Sequence, residues 1–184
     1  KTPHILVTTI NAISQYVPPR SIMSAAGLSL KIGDVVSRVA FESYFTLNGY
    51  TRASTVIEPG DFAIRGGIID VYPSGFDAPL RLDFFGDDLE SIREFDIDSQ
   101  ISGANLERAD LLPVSEVFIS AETIARFRAG YIAAFGGGLS DDPVYAAVSA
   151  GIRYQGLEHW LPLLYPAVET VFDYIPKGSL IAFD

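Results

Sequence analysis

The sequence predicts a mixed fold, α/β and α+β: a small unit pairing one helix with an antiparallel β-meander, joined to a second portion that is richer in helix. Three observations predict it. Apolar residues recur at helical spacing over residues 34–49, alternate over residues 62–97, and return to helical spacing after Pro113. The breaks inside the alternating stretch, Pro73-Ser74-Gly75-Phe76-Asp77 and Gly86-Asp87-Asp88, are short and made of turn formers. Connections that short join antiparallel neighbours.

Taken in order, residues 4–10 are β-branched and apolar with little alternation, as in a strand buried on both faces. Pro18-Pro19 stops any helix begun near Ile13, because proline lacks an amide donor and restricts the residue before it, and the segment reads as a linker. Asp34 has N-cap chemistry, Val36, Val39, Ala40, Tyr44 and Leu47 follow at 3/4 spacing, and Gly49 supplies the stop. Strands are expected at 62–72, 80–85 and 89–97. Ser120 caps a helix carrying Ile124, Phe127 and Tyr131 that ends at Gly136-Gly137-Gly138, and Asp142-Pro143 opens another that runs to about Gly151. Residues 179–183 read as a last strand.

Composition excludes several classes of function. The 184 residues are 48% hydrophobic with a mean hydropathy of +0.25, yet no apolar run approaches the roughly 18 residues of a membrane helix. The run at 4–10 is too short for a signal peptide, and Lys1 is not an initiator Met. The chain is therefore expected to be cut from a larger cytoplasmic protein, its apolar surplus meeting neighbours. Thirteen basic against 23 acidic residues give a net charge of -10, which disfavours direct DNA binding, because affinity for a phosphate backbone rests on basic side chains. Residues 27–112 hold 15 acidic and 7 basic residues, so a net -8 sits in the helix-plus-meander unit. Without cysteine there is no disulfide, thiolate metal site or Cys nucleophile, and two histidines make no multi-His cluster.

No P-loop pattern occurs, so ATP hydrolysis is not expected of this chain. Gly136-Gly137-Gly138 follows a helix and lacks dinucleotide spacing, which makes it a helix stop. Asp83, Asp87 and Asp88, with Glu90, open one alternative, an acidic metal-binding or hydrolytic domain, since hard cations want clustered carboxylates. Most of these acids sit at or beside a tight turn, where solvated carboxylates are ordinary. His159 beside Trp160 has no nucleophile motif to serve and is assigned to packing.

The alternating stretch yields a sharper candidate. In 80–85, Leu80, Leu82 and Phe84 share one face and Arg81, Asp83 and Phe85 the other. In 62–72, Phe62, Ile64 and Ile68 make the apolar side and place Arg65 opposite, next to Gly67. If these strands pair, Arg65, Arg81 and Phe85 share one outward patch of the residue types enriched at protein-interface hot spots. Periodicity leaves open a plainer outcome, in which the arginines answer nearby acids and Phe85 packs against another domain.

Gly49-Tyr50, the run from Glu58-Pro59-Gly60-Asp61 through Arg65-Gly66-Gly67-Ile68 to Tyr72-Pro73, and Leu80-Arg81-Leu82-Asp83-Phe84-Phe85-Gly86-Asp87-Asp88-Leu89-Glu90-Ser91-Ile92-Arg93 closely resemble the segment shared by the excision-repair protein UvrB and the bacterial transcription-repair coupling factors. Gly156-Leu157-Glu158-His159-Trp160-Leu161-Pro162-Leu163 and Val171-Phe172-Asp173-Tyr174-Ile175-Pro176 resemble the coupling factors alone, and with Val7-Thr8-Thr9-Ile10-Asn11-Ala12 the resemblance spans nearly the whole chain. The resemblance implies residues 1–26 as the end of an upstream α/β domain half and linker, 27–112 as the UvrA-binding domain, and 113–184 as part of a flanking α/β domain. It implies that Arg65, Arg81 and Phe85 contact UvrA and that this segment is not catalytic.

The whole family member is an ATP-driven DNA translocase that displaces RNA polymerase stalled at a lesion and recruits UvrA. ATP and magnesium would then serve a motor beyond Asp184, and polymerase and DNA would be met only through the full-length protein. The UvrA-facing surface would be masked by a carboxy-terminal domain of the same chain. One departure is visible: after Ser99-Gln100, where the family often has a basic residue, this chain has Ile101.

Overall fold

The computed structural model describes residues 5–137 and 141–182, and the chain divides into two compact units, Lys1–Ile22 with Ile119–Asp184, and Met23–Phe118. In chain order the elements are α1 (Ile10–Ile13), β1 (Tyr16–Val17), α2 (Arg20–Ala26), β2 (Leu28–Lys31), α3 (Arg38–Leu47), β3 (Thr51–Arg52), β4 (Asp61–Arg65), β5 (Ile68–Val71) and β6 (Leu80–Phe85). They continue with β7 (Asp88–Phe95), β8 (Ser102–Leu106), β9 (Arg108–Leu111), α4 (Ala121–Phe135), α5 (Pro143–Ser149), α6 (Leu161–Leu164), β10 (Glu169–Thr170) and α7 (Val171–Tyr174). The fold is mixed α/β and α+β, as the changing period predicts.

In the unit Met23–Phe118, six strands form one sheet in the order β3-β4-β5-β6-β7-β8. Strand β3 runs parallel to β4, and every later pair is antiparallel, which is the expected meander. Strand β6 has the predicted bounds. Residues 62–72, however, are two strands. Gly66, at φ +59°, and Gly67 turn the chain between β4 and β5, pairing Arg65 with Ile68 and Phe62 with Val71. Reversal puts Ile69 and Val71 on the buried side, so Ile68 lies on the opposite side, with Arg65, and not with Phe62 and Ile64. Strands β2 and β9, unforeseen from spacing, pair as a separate antiparallel ribbon from Leu28↔Leu111 to Lys31↔Arg108.

One face of the sheet makes the core with α3. Phe41 and Phe45, four apart on the helix and fully buried, meet Phe62, Phe84, Leu80, Leu82 and Ile92. Phe45 stacks on Phe62 at 4.8 Å, and Phe41 meets Phe84 edge-on at 5.4 Å. The helix starts later than expected. Ser37 is its cap, its hydroxyl accepting the Ala40 N–H, while the Asp34 carboxylate accepts the Lys31 N–H at 2.8 Å. Its buried stripe also differs: Val39 and Leu47 are exposed. The more voluminous phenylalanines take the core side. Gly49, at φ +86°, follows the C-cap as predicted. On the opposite face Val56, Ala63, Tyr72 and Phe95 form a second, smaller apolar cluster.

In the other unit, Ser120 caps α4: its hydroxyl accepts the Thr123 N–H at 3.2 Å, and Thr123 Oγ1 accepts the Ser120 N–H at 2.9 Å. Phe127 and Tyr131 on α4 are buried, and Trp160 lies 5.1 Å from Tyr131. Gly136 ends the helix as expected, and Gly138 lies outside the described residues. Asp142 caps α5 through the Tyr145 N–H at 2.9 Å, with Pro143 at the first helical position. Trp160 does the packing assigned to His159, which is exposed.

Two strand expectations fail here. Residues 5–9 form no strand: Ile5, Leu6 and Val7 are exposed, α1 begins at Ile10, and His4 lies outside the described residues. Residues 179–182 form none either, and Phe183 lies outside the described residues. A strand needs hydrogen-bonding neighbours, and an apolar composition does not supply them. The linker at Pro18-Pro19 is packed: both prolines are buried, β1 pairs with β10, and the Tyr174 hydroxyl donates to the Pro18 carbonyl at 2.7 Å. No helix among the described residues is long and apolar enough to cross a membrane.

Candidate protein-docking surface

The surface is the sheet face turned away from α3. In β6 burial alternates as the pleat demands: Leu80, Leu82 and Phe84 face the core, while Arg81, Asp83 and Phe85 lie on the other side. Phe85, at 75% exposure, is an aromatic ring standing in solvent. Arg65 comes to this face from the end of β4 and Ile68 from the start of β5. The structure thus places the three expected residues on one face, but not in one cluster. Phe85 is four residues along β6 from Arg81, about 13 Å at strand rise.

The two arginines meet on a residue that spacing did not single out. Asp70 of β5 lies directly across from Arg81, and its side chain is 1% exposed. Arg81 grips it with two prongs: Nε donates to Oδ1 at 2.7 Å, and a terminal nitrogen donates to Oδ2 at 3.0 Å. Arg65 donates to the same Oδ2 at 3.0 Å. Burying a carboxylate is costly unless it is paired and hydrogen-bonded, and these contacts meet that demand.

Arg81 is held on its other side as well. Its remaining terminal nitrogen donates to the Gln100 carbonyl at 3.1 Å and to Ser102 Oγ at 3.3 Å, and the guanidinium lies 4.7 Å above the Phe95 ring. The hydrogen bonds to Asp70 push its pKa above the usual arginine value. Its side chain is 17% exposed, against 53% for Arg65. Gln100 reaches Arg81 from the loop between β7 and β8, in a left-handed conformation at φ +59°, and the departure residue Ile101 beside it is 69% exposed.

Asp83, next along β6 on this face, accepts from Ser91 Oγ at 2.6 Å and is bridged to Arg93. Asp83, Asp87 and Asp88 are not gathered into a site: among the described residues no group of three His, Cys, Asp or Glu side chains is placed to hold a metal ion. Asp83 is committed to Arg93, and Asp87 and Asp88 are exposed where β6 turns into β7. The acidic metal-binding or hydrolytic alternative has no constellation to rest on. A single strand over residues 62–72 does not assign Ile68 and Asp70 to this face, whereas the two strands β4 and β5 do. The Gly66-Gly67 pair between two apolar runs was the hairpin signal that assigns both to this face.

Residues 28–117 match the family model of the UvrB interaction domain. Over 178 residues, 96% of its length, the chain is 33% identical to the transcription-repair-coupling factors of Escherichia coli and of Haemophilus influenzae. It is 32% identical over 190 residues to that of Myxococcus xanthus. The chain spans about 16% of the length of these relatives. Similar over 96% of its length to one segment of these proteins, with its six-stranded sheet inside the matched residues, the chain belongs to the transcription-repair-coupling factor family, and residues 28–117 are its UvrB interaction domain.

Proposed function

We propose that the unit Met23–Phe118 is a non-catalytic docking module that binds UvrA through the sheet face carrying Arg65, Arg81 and Phe85, within a protein that couples transcription to nucleotide excision repair. The observation that supports this most is Phe85: an aromatic ring 75% exposed on the same face as a half-exposed arginine, in a chain whose net charge is strongly negative. Such a ring and guanidinium are the usual anchors of a protein interface. Ile68, also exposed beside Arg65, widens the apolar part. The partner's side is expected to supply an apolar socket and a carboxylate.

In the full-length protein this module would bring UvrA to RNA polymerase stalled at a lesion. The translocase motor with its ATP and magnesium, the contacts to polymerase and DNA, and a masking carboxy-terminal domain would lie outside this chain, and the protein would work in the cytoplasm.

Equilibrium binding to purified UvrA tests the proposal. Arg65→Ala, Arg81→Ala and Phe85→Ala are each expected to weaken binding on the hot-spot scale, about 2 kcal/mol. Lysine should replace either arginine poorly, because an ammonium cannot offer a planar pair of donors. Wild-type affinity in both Phe85→Ala and Arg65→Ala would remove this face as the docking surface.

A further inference from the structure

We propose that the two arginines divide the work: Arg81 is a fixed strut, and the buried Asp70 is a positioning residue that aims Arg65, the guanidinium that reaches a carboxylate on the partner. This rests on the docking face argued above. Three ion pairs on that face join three arginines, Arg65, Arg81 and Arg93, to two aspartates, Asp70 and Asp83. Arg93 is matched to Asp83, and Arg81 takes Asp70 with two prongs. Arg65 is the surplus cation, sharing a carboxylate oxygen already used by Arg81.

Arg81 has little left to offer a partner. Nε and both terminal nitrogens are engaged with Asp70, Gln100 and Ser102, and one side of its plane is covered by Phe95. Moving it would strip a carboxylate that is 1% exposed of its bidentate partner. Arg65 is the reverse: one hydrogen bond, to Asp70, and more than half of its side chain open to solvent. That single bond fixes a long side chain which would otherwise have to be ordered on binding, a cost Asp70 meets in advance. The buried aspartate thus touches no partner and still contributes to affinity.

A double-mutant cycle in binding to purified UvrA, with melting temperatures measured in parallel, tests this. Asp70→Asn is expected to weaken binding roughly two- to tenfold, the cost of ordering one long side chain. The loss should vanish in an Arg65→Ala background and add in full to that of Phe85→Ala. Should Asp70→Asn alone unfold, because it leaves Arg81 without its counter-charge, Asp70→Asn with Arg81→Gln removes both charges together. Whatever Arg81→Gln itself costs, the loss from Arg65→Ala should be two- to tenfold smaller in that pair than in the wild type, and an undiminished loss there counts against the positioning role. An equal loss with and without Arg65, or no loss, overturns the positioning role while leaving the docking face standing. Wild-type binding by Arg65→Ala and Phe85→Ala alike overturns the docking face, and this proposal with it.

Discussion

Gly67 and Phe84 bring their backbones into contact where β5 begins against the end of β6. The Phe84 N–H donates to the Gly67 carbonyl at 2.7 Å, and a Cβ placed on Gly67 would stand 2.6 Å from the Phe84 carbonyl oxygen. Space, and not an unusual φ, demands glycine here. Gly67→Ala should push β5 from β6 next to Phe85 and destabilise the unit by about 1–3 kcal/mol, the range for forcing extra atoms into a packed site. Gly66→Asn is the control, because that position has open space around it and asparagine tolerates a left-handed backbone. Equal urea midpoints for Gly67→Ala and the wild type would contradict the close approach.

Consecutive phenylalanines on opposite faces should respond oppositely to truncation. Phe84 is 8% exposed and packs edge-on against Phe41, so Phe84→Ala should cost about 3–5 kcal/mol of stability. Phe85→Ala should stay within about 0.5 kcal/mol of wild type, since its ring is already in water. Denaturant unfolding of the two variants checks this directly. A heavy loss from Phe85→Ala with little from Phe84→Ala would mean that the pleat of β6 runs the other way.

The helix α3 makes the matching prediction on the other side of the core. Val39→Lys and Leu47→Lys replace exposed side chains and should leave the unfolding midpoint nearly unchanged, whereas Phe41→Ala or Phe45→Ala should cost about 3–5 kcal/mol. Thermal melts that rank these variants in the reverse order would restore the stripe read from spacing.

The helix and β6 show where sequence is informative. In β6 the apolar residues sit two apart with a turn at each end, and only one register buries Leu80, Leu82 and Phe84 together, so faces and bounds are legible. In α3 two stripes compete, Val39 with Leu47 and Phe41 with Phe45, and the choice depends on the room beneath Phe62 and Phe84. Spacing along the helix carries no record of that room.

At the site, the outward set Arg65, Arg81 and Phe85 was legible for the same reason as β6. The buried Asp70 was not. A carboxylate's burial is decided by what stands opposite it, and Arg81 stands opposite Asp70 only in the register that the connection 72–79 sets between β5 and β6. The apolar residues 5–9 fail for a related cause, since their state is set by pairing partners and not by composition.

Two tyrosines set an alkaline limit on the sheet unit. The Tyr44 hydroxyl donates to the Leu111 carbonyl at 3.1 Å, and the Tyr50 hydroxyl donates to the Leu112 carbonyl at 2.6 Å. Burial raises the Tyr44 phenol from 10.0 to about 12 and pushes that of Tyr50 higher still. A folded-state pKa above the unfolded value means that the fold holds the proton more tightly. The resulting stability is complete below pH 10 and is lost as pH rises through about 12. Urea midpoints should therefore fall between pH 10 and 12, together with the rise of tyrosinate absorbance. Tyr44→Phe should act in opposite directions at the two ends of this range. At pH 7 it forfeits a hydrogen bond, about 1 kcal/mol, and leaves the Leu111 carbonyl without that donor. Above pH 10 it removes a group that would otherwise have to ionise, so its midpoint should fall less steeply than that of the wild type. Parallel slopes for the wild type, Tyr44→Phe and Tyr50→Phe would assign the alkaline transition to other groups.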